Sequence, residues 1–448
     1  MDTDALKQAA IDAYMRSDGW NVYPDRDEIR YGQSNLFGVN GNVNKSGKGA
    51  AYYPDSTEDL DFTAQFAEVR ARVDTALTDW QESRLPEPGA LNDGAVKARE
   101  PITALNVGDA TSFGGTLGGY LKTVSDNAPL FRGAALNAFN NSFVNQLPAV
   151  IANHGCLATV VAEAWSAEEE IWTRARSDRD THIEKTTAAL SAYAETEAPS
   201  DITFVLALSG AVIAGASAVA TGGATLPFAL ATAGITAISA TNDHVGELRL
   251  ERNGANYQEL MTAFEEGLAD IDDGISQQEG LIKEALHNAW TVFEGHRSLF
   301  DLTPRVSDDG DGDWGDETSV FDVADASAYE IVLPGQDVVD SLCSGLNNLA
   351  HGVEQAEPKV VTGADDGNLL APSAREVGLR YNGASFWMWN VGDNNASSLR
   401  NLTWDIKQGT AMLQAIIQDF RDRDADSQAA LDNLRNQVGA GSGENPWA

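Results

Sequence analysis

The stretch Tyr257–Phe293, YQELMTAFEEGLADIDDGISQQEGLIKEALHNAWTVF, decides the fold class. Tyr257, Leu260, Phe264, Leu268, Ile271, Ile275, Ile282, Leu286, Trp290 and Phe293 keep to one side of a 3.6-residue repeat, the pattern of an amphipathic helix with one apolar face. At about 1.5 Å per residue such a rod exceeds ~50 Å. Working outward, Leu60, Phe62, Phe66, Val69, Val73, Leu77 and Trp80 repeat the pattern before Pro86 and Pro88 stop it. A Gly-interrupted helix is expected over Ala110–Asn127, followed by a helical run from Phe131 to about Glu197 that Pro148 should bend. Its apolar stripe is Ile151, Leu157, Val160, Val161, Trp165, Ile171, Trp172 and Ile183, and Glu168 to Glu170 and Arg174 to Arg179 are placed on its wet face.

Between these rods lies the least usual part of the chain. Ile202–Asn242 holds no Asp, Glu, Lys or Arg, is divided by Thr221-Gly222-Gly223, and restarts at Pro227, a residue suited to a helix's first turn. Two helical arms of 19 and 17 residues are expected, a central apolar hairpin. Each arm would span about 25 to 28 Å, close to the roughly 30 Å hydrocarbon core of a bilayer. Small residues such as Gly210, Ala214, Gly215 and Ala218 suit close helix contact in lipid or in a buried bundle core, and both readings stay open at this point. The fold class is therefore mainly α: an elongated bundle of long helical hairpins around that apolar one.

The remaining segments are shorter. Asp2–Asp18 reads as one helix, and Leu36–Ala50, with Gly38, Gly41, Gly47 and Gly49 among asparagines, reads as a loop. Asp308–Glu317 is an acidic, Gly-rich linker, Ser319–Leu333 alternates like a short strand, and a helix starts near Asp337. An aromatic knot at Phe386, Trp387 and Trp389 precedes a terminal helix carried by Leu399, Leu402, Ile406, Met412, Ile416 and Phe420. The expected organisation is an N-terminal helix and flexible loop (1–58), a helical bundle (59–306), a linker (307–330), a C-terminal helical region (331–438) and a tail (439–448).

Charge limits the function classes. The 67 acidic and 30 basic residues leave a formal net charge of -37, and no basic cluster exists to neutralise phosphates, so nucleic acid is excluded as a partner. Cys156 and Cys343, far apart in apolar surroundings, read as buried thiols and not as a disulfide framework. Residues 1–20 carry several charges and no apolar run, so no cleaved secretory signal is expected there.

Motifs for chemistry fall short residue by residue. Gly310-Asp311-Gly312-Asp313-Trp314-Gly315 spells a dinucleotide loop, but its aspartates would repel a pyrophosphate. Asp309, Asp311 and Asp313 have calcium-loop spacing, yet Trp314 stands where glycine is needed and Val320 where a bidentate glutamate is needed. In Asn44–Gly49, a glycine replaces the hydroxyl residue that a phosphate loop places on magnesium. The histidines are scattered through expected helices. The expectation is a non-enzymatic protein without metal or cofactor.

One resemblance adds to this reading. Phe131-Arg132-Gly133-Ala134-Ala135-Leu136-Asn137-Ala138-Phe139, then Leu147-Pro148-Ala149-Val150-Ile151-Ala152-Asn153 and Glu170-Ile171-Trp172, resemble the actinobacterial WXG-like proteins associated with type VII (ESX) secretion. In that family a Trp-x-Gly turn joins two helices, and a Tyr-x-x-x-Asp/Glu pair after the second serves as an export signal. The resemblance implies that Phe131 and Gly133 form the helix turn and that Tyr193 and Glu197 supply the signal, with Tyr14 and Asp18 as a further match to the same short pattern. It implies a helical protein that leaves the cytoplasm without a cleaved signal peptide for the medium or the cell surface. Its partners would be the secretion machinery or another protein, with a membrane and self-assembly also expected. The alternative is an α-helical pore-forming toxin resembling the cytolysin A class, which would insert the 202–242 hairpin through Gly210, Gly215, Gly222, Gly223 and Pro227.

Overall fold

A computed structural model describes residues 2–34, 40–108, 113–196, 202–208, 248–302, 333–364 and 383–440. It is mainly α. In chain order, α1 (Thr3–Ser17) leads into β1 (Asn21–Val22), β2 (Tyr31–Ser34), β3 (Asn40–Val43), β4 (Lys48–Tyr52) and β5 (Thr57–Asp61). Then come α2 (Thr63–Ala76), α3 (Pro88–Ala104), α4 (Gly118–Asn127), α5 (Ala134–Ser142) and α6 (Leu147–Glu195). Two strands, β6 (Ile202–Leu208) and β7 (Leu248–Gly254), precede α7 (Tyr257–Gly295), α8 (Gln336–Ala364) and α9 (Ala384–Ala440).

Local chemistry explains where the helices begin. Asp2 caps α1 by accepting from Ala5 N at 2.9 Å. At α7, Asn256 Oδ1 accepts from Glu259 N at 3.0 Å, while the Glu259 carboxylate accepts from Ala255 N and from Asn256 Nδ2, each at 2.8 Å. Caps of this kind satisfy amides that the first helical turn leaves unpaired. Pro148 lies in the first turn of α6, so it starts that helix and does not bend a longer one.

Two hydrophobic cores result. In the first, α1, α2, the inner side of the sheet and the first half of α3 close over α6 from Leu157 to Tyr193, over α7, and over the start of α9. In the second, the end of α3, α4, α5 and the start of α6 enclose α8 and the middle of α9. Both α6 and α9 pass through the two cores, and at 1.5 Å per residue α6 alone runs about 73 Å. Trp165, fully buried, joins distant parts of the chain by donating from Nε1 to Gly363 O at 2.9 Å.

Several expectations are corrected. Of the expected loop 36–50, residues 36–39 lie outside the described residues, and 40–50 hold β3 and much of β4, in an antiparallel meander of order β1-β2-β3-β4-β5. Its register pairs Tyr31 with Val43 and Gly41 with Ala51. The glycines there serve close approach, since a Cβ on Gly41 would stand 2.8 Å from the Trp20 ring. Pro88, expected only to stop the preceding helix, lies in the first turn of a further helix, α3. The aromatic residues 386–389 belong to the first turns of α9 and do not form a separate knot.

The first arm of the apolar hairpin is corrected in part. Ile202–Leu208 is a strand, antiparallel to Leu248–Gly254, with Ile202 opposite Gly254 and Leu208 opposite Leu248. The run Ile202-Thr203-Phe204-Val205 is rich in β-branched and aromatic residues, which fit a pleated ladder better than a helix. The rest of the expected hairpin, with Gly210, Gly215, Gly222, Gly223 and Pro227, lies outside the described residues, as do the linker 307–330 and most of the expected strand 319–333.

Candidate functional site

The Phe131-Arg132-Gly133 segment forms a turn between a 3-10 turn, Ala128–Leu130, and α5. Phe131 is extended and buried in the second core, with its amide donating to Ala128 O at 3.2 Å. Gly133 has φ 140 and ψ 157, a conformation that a side chain would make costly, and its carbonyl accepts from Asn137 N at 2.8 Å. Asn140 Nδ2 donates back to Ala128 O at 2.8 Å, tying α5 to the segment before the turn. The turn is thus set by a buried aromatic ring, a glycine-only backbone and an amide tether.

Beside it opens a cleft of about 660 Å³, lined by Phe131 and Val144 at its apolar side and by Ser125, Arg132, Asn137 and Asn141 at its polar side. This volume is in the range of small-ligand pockets. Arg132 is exposed and is the lining's charged residue, a positive spot on a chain of net charge -37. Side-chain amides and one guanidinium can hold a polar group by hydrogen bonding, so the arrangement is suited to recognition.

Tyr193 stands at another corner. It is buried at 4% exposure near the end of α6, with its hydroxyl 3.0 Å from Ser17 Oγ at the end of α1. Ser17 Oγ also accepts from Tyr257 N at 3.1 Å, and Arg16 donates to Thr196 O at 2.6 Å. The Tyr14 ring meets the Tyr257 ring edge-on at 5.7 Å. The ends of α1 and α6 and the start of α7 are therefore knotted together, and Tyr14 and Tyr193, from two of the Tyr-x-x-x-acid matches, share that corner. Glu197 lies outside the described residues.

Sequence reasoning missed the buried polar groups on α6. Glu168 and Arg179, expected on the wet face, are buried at 0% and 2% exposure. Arg179 is satisfied by Trp80 O at 2.9 Å and by Glu82 at 2.7 Å. Spacing held the signal: Glu168 is three positions from both Trp165 and Ile171, on the apolar stripe itself. Two of the described histidines are fully buried. His154 Nδ1 lies 2.6 Å from Asn395 Oδ1 and its Nε2 3.0 Å from Phe300 O, and burial holds its pKa below the usual imidazole value. His182 Nε2 lies 2.9 Å from Phe264 O.

Another missed cluster anchors the sheet to α1. Arg30 grips Asp12 with two bonds of 2.9 and 2.5 Å, and Tyr31 Oη donates to the same carboxylate at 2.8 Å. Cys156 and Cys343 are buried thiols outside any disulfide. Among the described residues no group of three or more His, Cys, Asp or Glu is placed to hold a metal ion. The stretch Leu136–Glu195 is long and apolar enough to cross a membrane, with mean hydropathy 1.3 in its most apolar window, but 78% of that window is buried inside the protein, which makes it a core helix here. Comparison with protein-family models, with curated proteins and with solved structures finds no match to this chain.

Proposed function

We propose that this protein acts by binding, as a helical substrate of a type VII-like secretion system. The observation that carries the reading is the Phe131-Arg132-Gly133 turn. It has a buried aromatic residue and a glycine at φ 140 where the WXG-like proteins have Trp and Gly, and it joins a helical segment to α5 and α6. Tyr193 and Glu197 follow as the export signal. Because Tyr193 is covered by Ser17, recognition requires the end of α1 to move aside.

The test is export itself. In a host with a working type VII ATPase, the wild type should accumulate in the medium and stay in the cell pellet when that ATPase is inactivated. Tyr193→Ala should remain in the pellet, while Ser17→Ala, which breaks the same hydrogen bond without touching the signal, should be exported. Release that does not depend on the ATPase overturns the proposal.

A second reading, membrane insertion of the uncharged stretch in the manner of an α-helical pore-forming toxin, draws support from the β6–β7 ladder. The ladder pairs Leu208 with Leu248, so the two ends of the stretch 209–247 stand side by side. Dye release from liposomes by the wild type supports that reading, and intact liposomes remove it.

A further inference from the structure

Helices α6 and α7 run antiparallel, and their register can be read from the buried histidine. His182 bonds to Phe264 O, and a Cβ at Gly267 would overlap the His182 ring. About four turns from that level, toward the start of α6 and the end of α7, Glu168 comes opposite residues 278–281. Glu168, Gln278 and Glu279 are buried at 0%, 9% and 3% exposure. The register thus sets two buried carboxyl groups, Glu168 and Glu279, at one level of the helix seam. Neither oxygen of Glu168 makes a well-formed hydrogen bond, and the Trp172 indole one turn away favours its charged form by less than burial opposes it.

We propose that the α6–α7 seam at Glu168 is a proton-controlled joint: Glu168 packs against the Glu279 level as a neutral carboxylic acid, and loss of its proton loosens the two helices there. Among the described residues, the charged groups nearest this level are paired elsewhere or exposed. On α6, Arg174 pairs with Glu170, and Arg176 and Arg179 are drawn to Glu82. Glu163, half-buried and also raised by burial, has Arg99 as its cation. On α3, whose Gly94 meets the Trp165 ring, Asp93, Lys97 and Arg99 are exposed, and Arg99 reaches Ser166 at 2.7 Å. On α7, Lys283 and Glu284 are exposed beyond Glu279. From α8 the contact is Gly363 O, and the start of α9 adds Ala384 and Ser385, all uncharged.

Burial raises the Glu168 carboxyl from its ordinary value of 4.5 to about 8. A folded-state value above the unfolded one means that the fold binds the proton more tightly than the unfolded chain does. The stability held by the neutral group is complete below about pH 4.5 and is lost as pH rises through about 8. Within that window, this group alone raises the unfolding equilibrium constant about tenfold per pH unit.

The experiment compares the wild type with Glu168→Gln, which keeps the shape of the protonated acid, and with Glu168→Leu as a second uncharged variant. Melting temperatures are taken from about pH 5 to about pH 9, and hydrogen exchange, corrected for intrinsic rates, is followed on α6 and α7 at both ends of that range. The wild-type melting temperature should fall more steeply with pH than that of either variant. The curves should converge near pH 5, and faster exchange at high pH should centre on residues 160–176 and 272–286 of the wild type only. Parallel melting curves, or exchange around Glu168 that rises equally with pH in the wild type and the folded variants, would overturn the proposal. Should both variants fail to fold, the wild-type exchange profile decides alone: protection around Glu168 that does not change across the range overturns it.

Discussion

Replacing Gly267 by alanine tests the packing of α6 on α7 at its tightest level. Glycine in a helix interior is ordinarily a weakness, and alanine there adds about 0.5 to 1 kcal/mol of stability. At Gly280 and Gly274, on the same helix, an added Cβ would meet nothing within 4 Å, so Gly280→Ala should show that gain. At Gly267 the same methyl group overlaps the fully buried His182 ring, whose Nε2 lies 2.9 Å from Phe264 O. The imidazole must turn away. Overpacking then costs about 1 to 3 kcal/mol, and the disrupted buried hydrogen bond costs about 1 to 3 kcal/mol more. Against the propensity gain, a net loss of about 1 to 5 kcal/mol remains. Gly267→Ala and Gly280→Ala should therefore differ by about 2 to 6 kcal/mol, at least about thirtyfold in the unfolding constant. Guanidinium unfolding followed by tryptophan fluorescence reads this as midpoints displaced in opposite directions at equal slope. If Gly267→Ala proves as stable as Gly280→Ala, His182 has room to spare, and the register drawn from it is wrong.

Two other substitutions probe separate parts of the fold. Asp12→Ala leaves the Arg30 guanidinium buried without its carboxylate and should cost about 3 to 5 kcal/mol, read from the unfolding midpoint, whereas a loss under about 1 kcal/mol would mean that the sheet is not anchored to α1 through this pair. Gly133→Ala forces a side chain into φ 140 and should lower stability by about 1 to 3 kcal/mol in thermal melts, while an unchanged melting temperature would show that the turn has another conformation.

Much of the helical framework was legible because it is written locally. The stripe from Tyr257 to Phe293 and the Asn256–Glu259 cap both mark α7, and Asp2 with Leu6, Ile11 and Met15 marks α1 as plainly. What stayed hidden depends on neighbours remote in sequence. Pro88 reads only as a stop, yet it opens α3, inside which Gly94 lies close to Trp165, an added Cβ standing 2.9 Å from the ring. Gly41 looked like slack chain and is flattened against Trp20. Glu168 looked solvated because glutamate nearly always is, although its spacing from Trp165 placed it among the apolar residues. The turn at Phe131 and Gly133 was found from its letters, but the cleft beside it depends on α4 and α5 folding back, which no short motif encodes.

The long reach of the bonds within the first core bears on the protein's birth. Ser17 waits for a hydroxyl partner 176 positions later, Arg16 for a carbonyl 180 later, and Trp165 for a carbonyl 198 later. His154 meets Asn395 only after another 241 residues. At about 5 to 20 residues per second, a ribosome leaves the apolar side of α1 without its cover for many seconds, and α6 without α9 for longer still. The nascent chain therefore spends much of its synthesis as an adhesive intermediate, and a holding chaperone would meet it before its own last helix does.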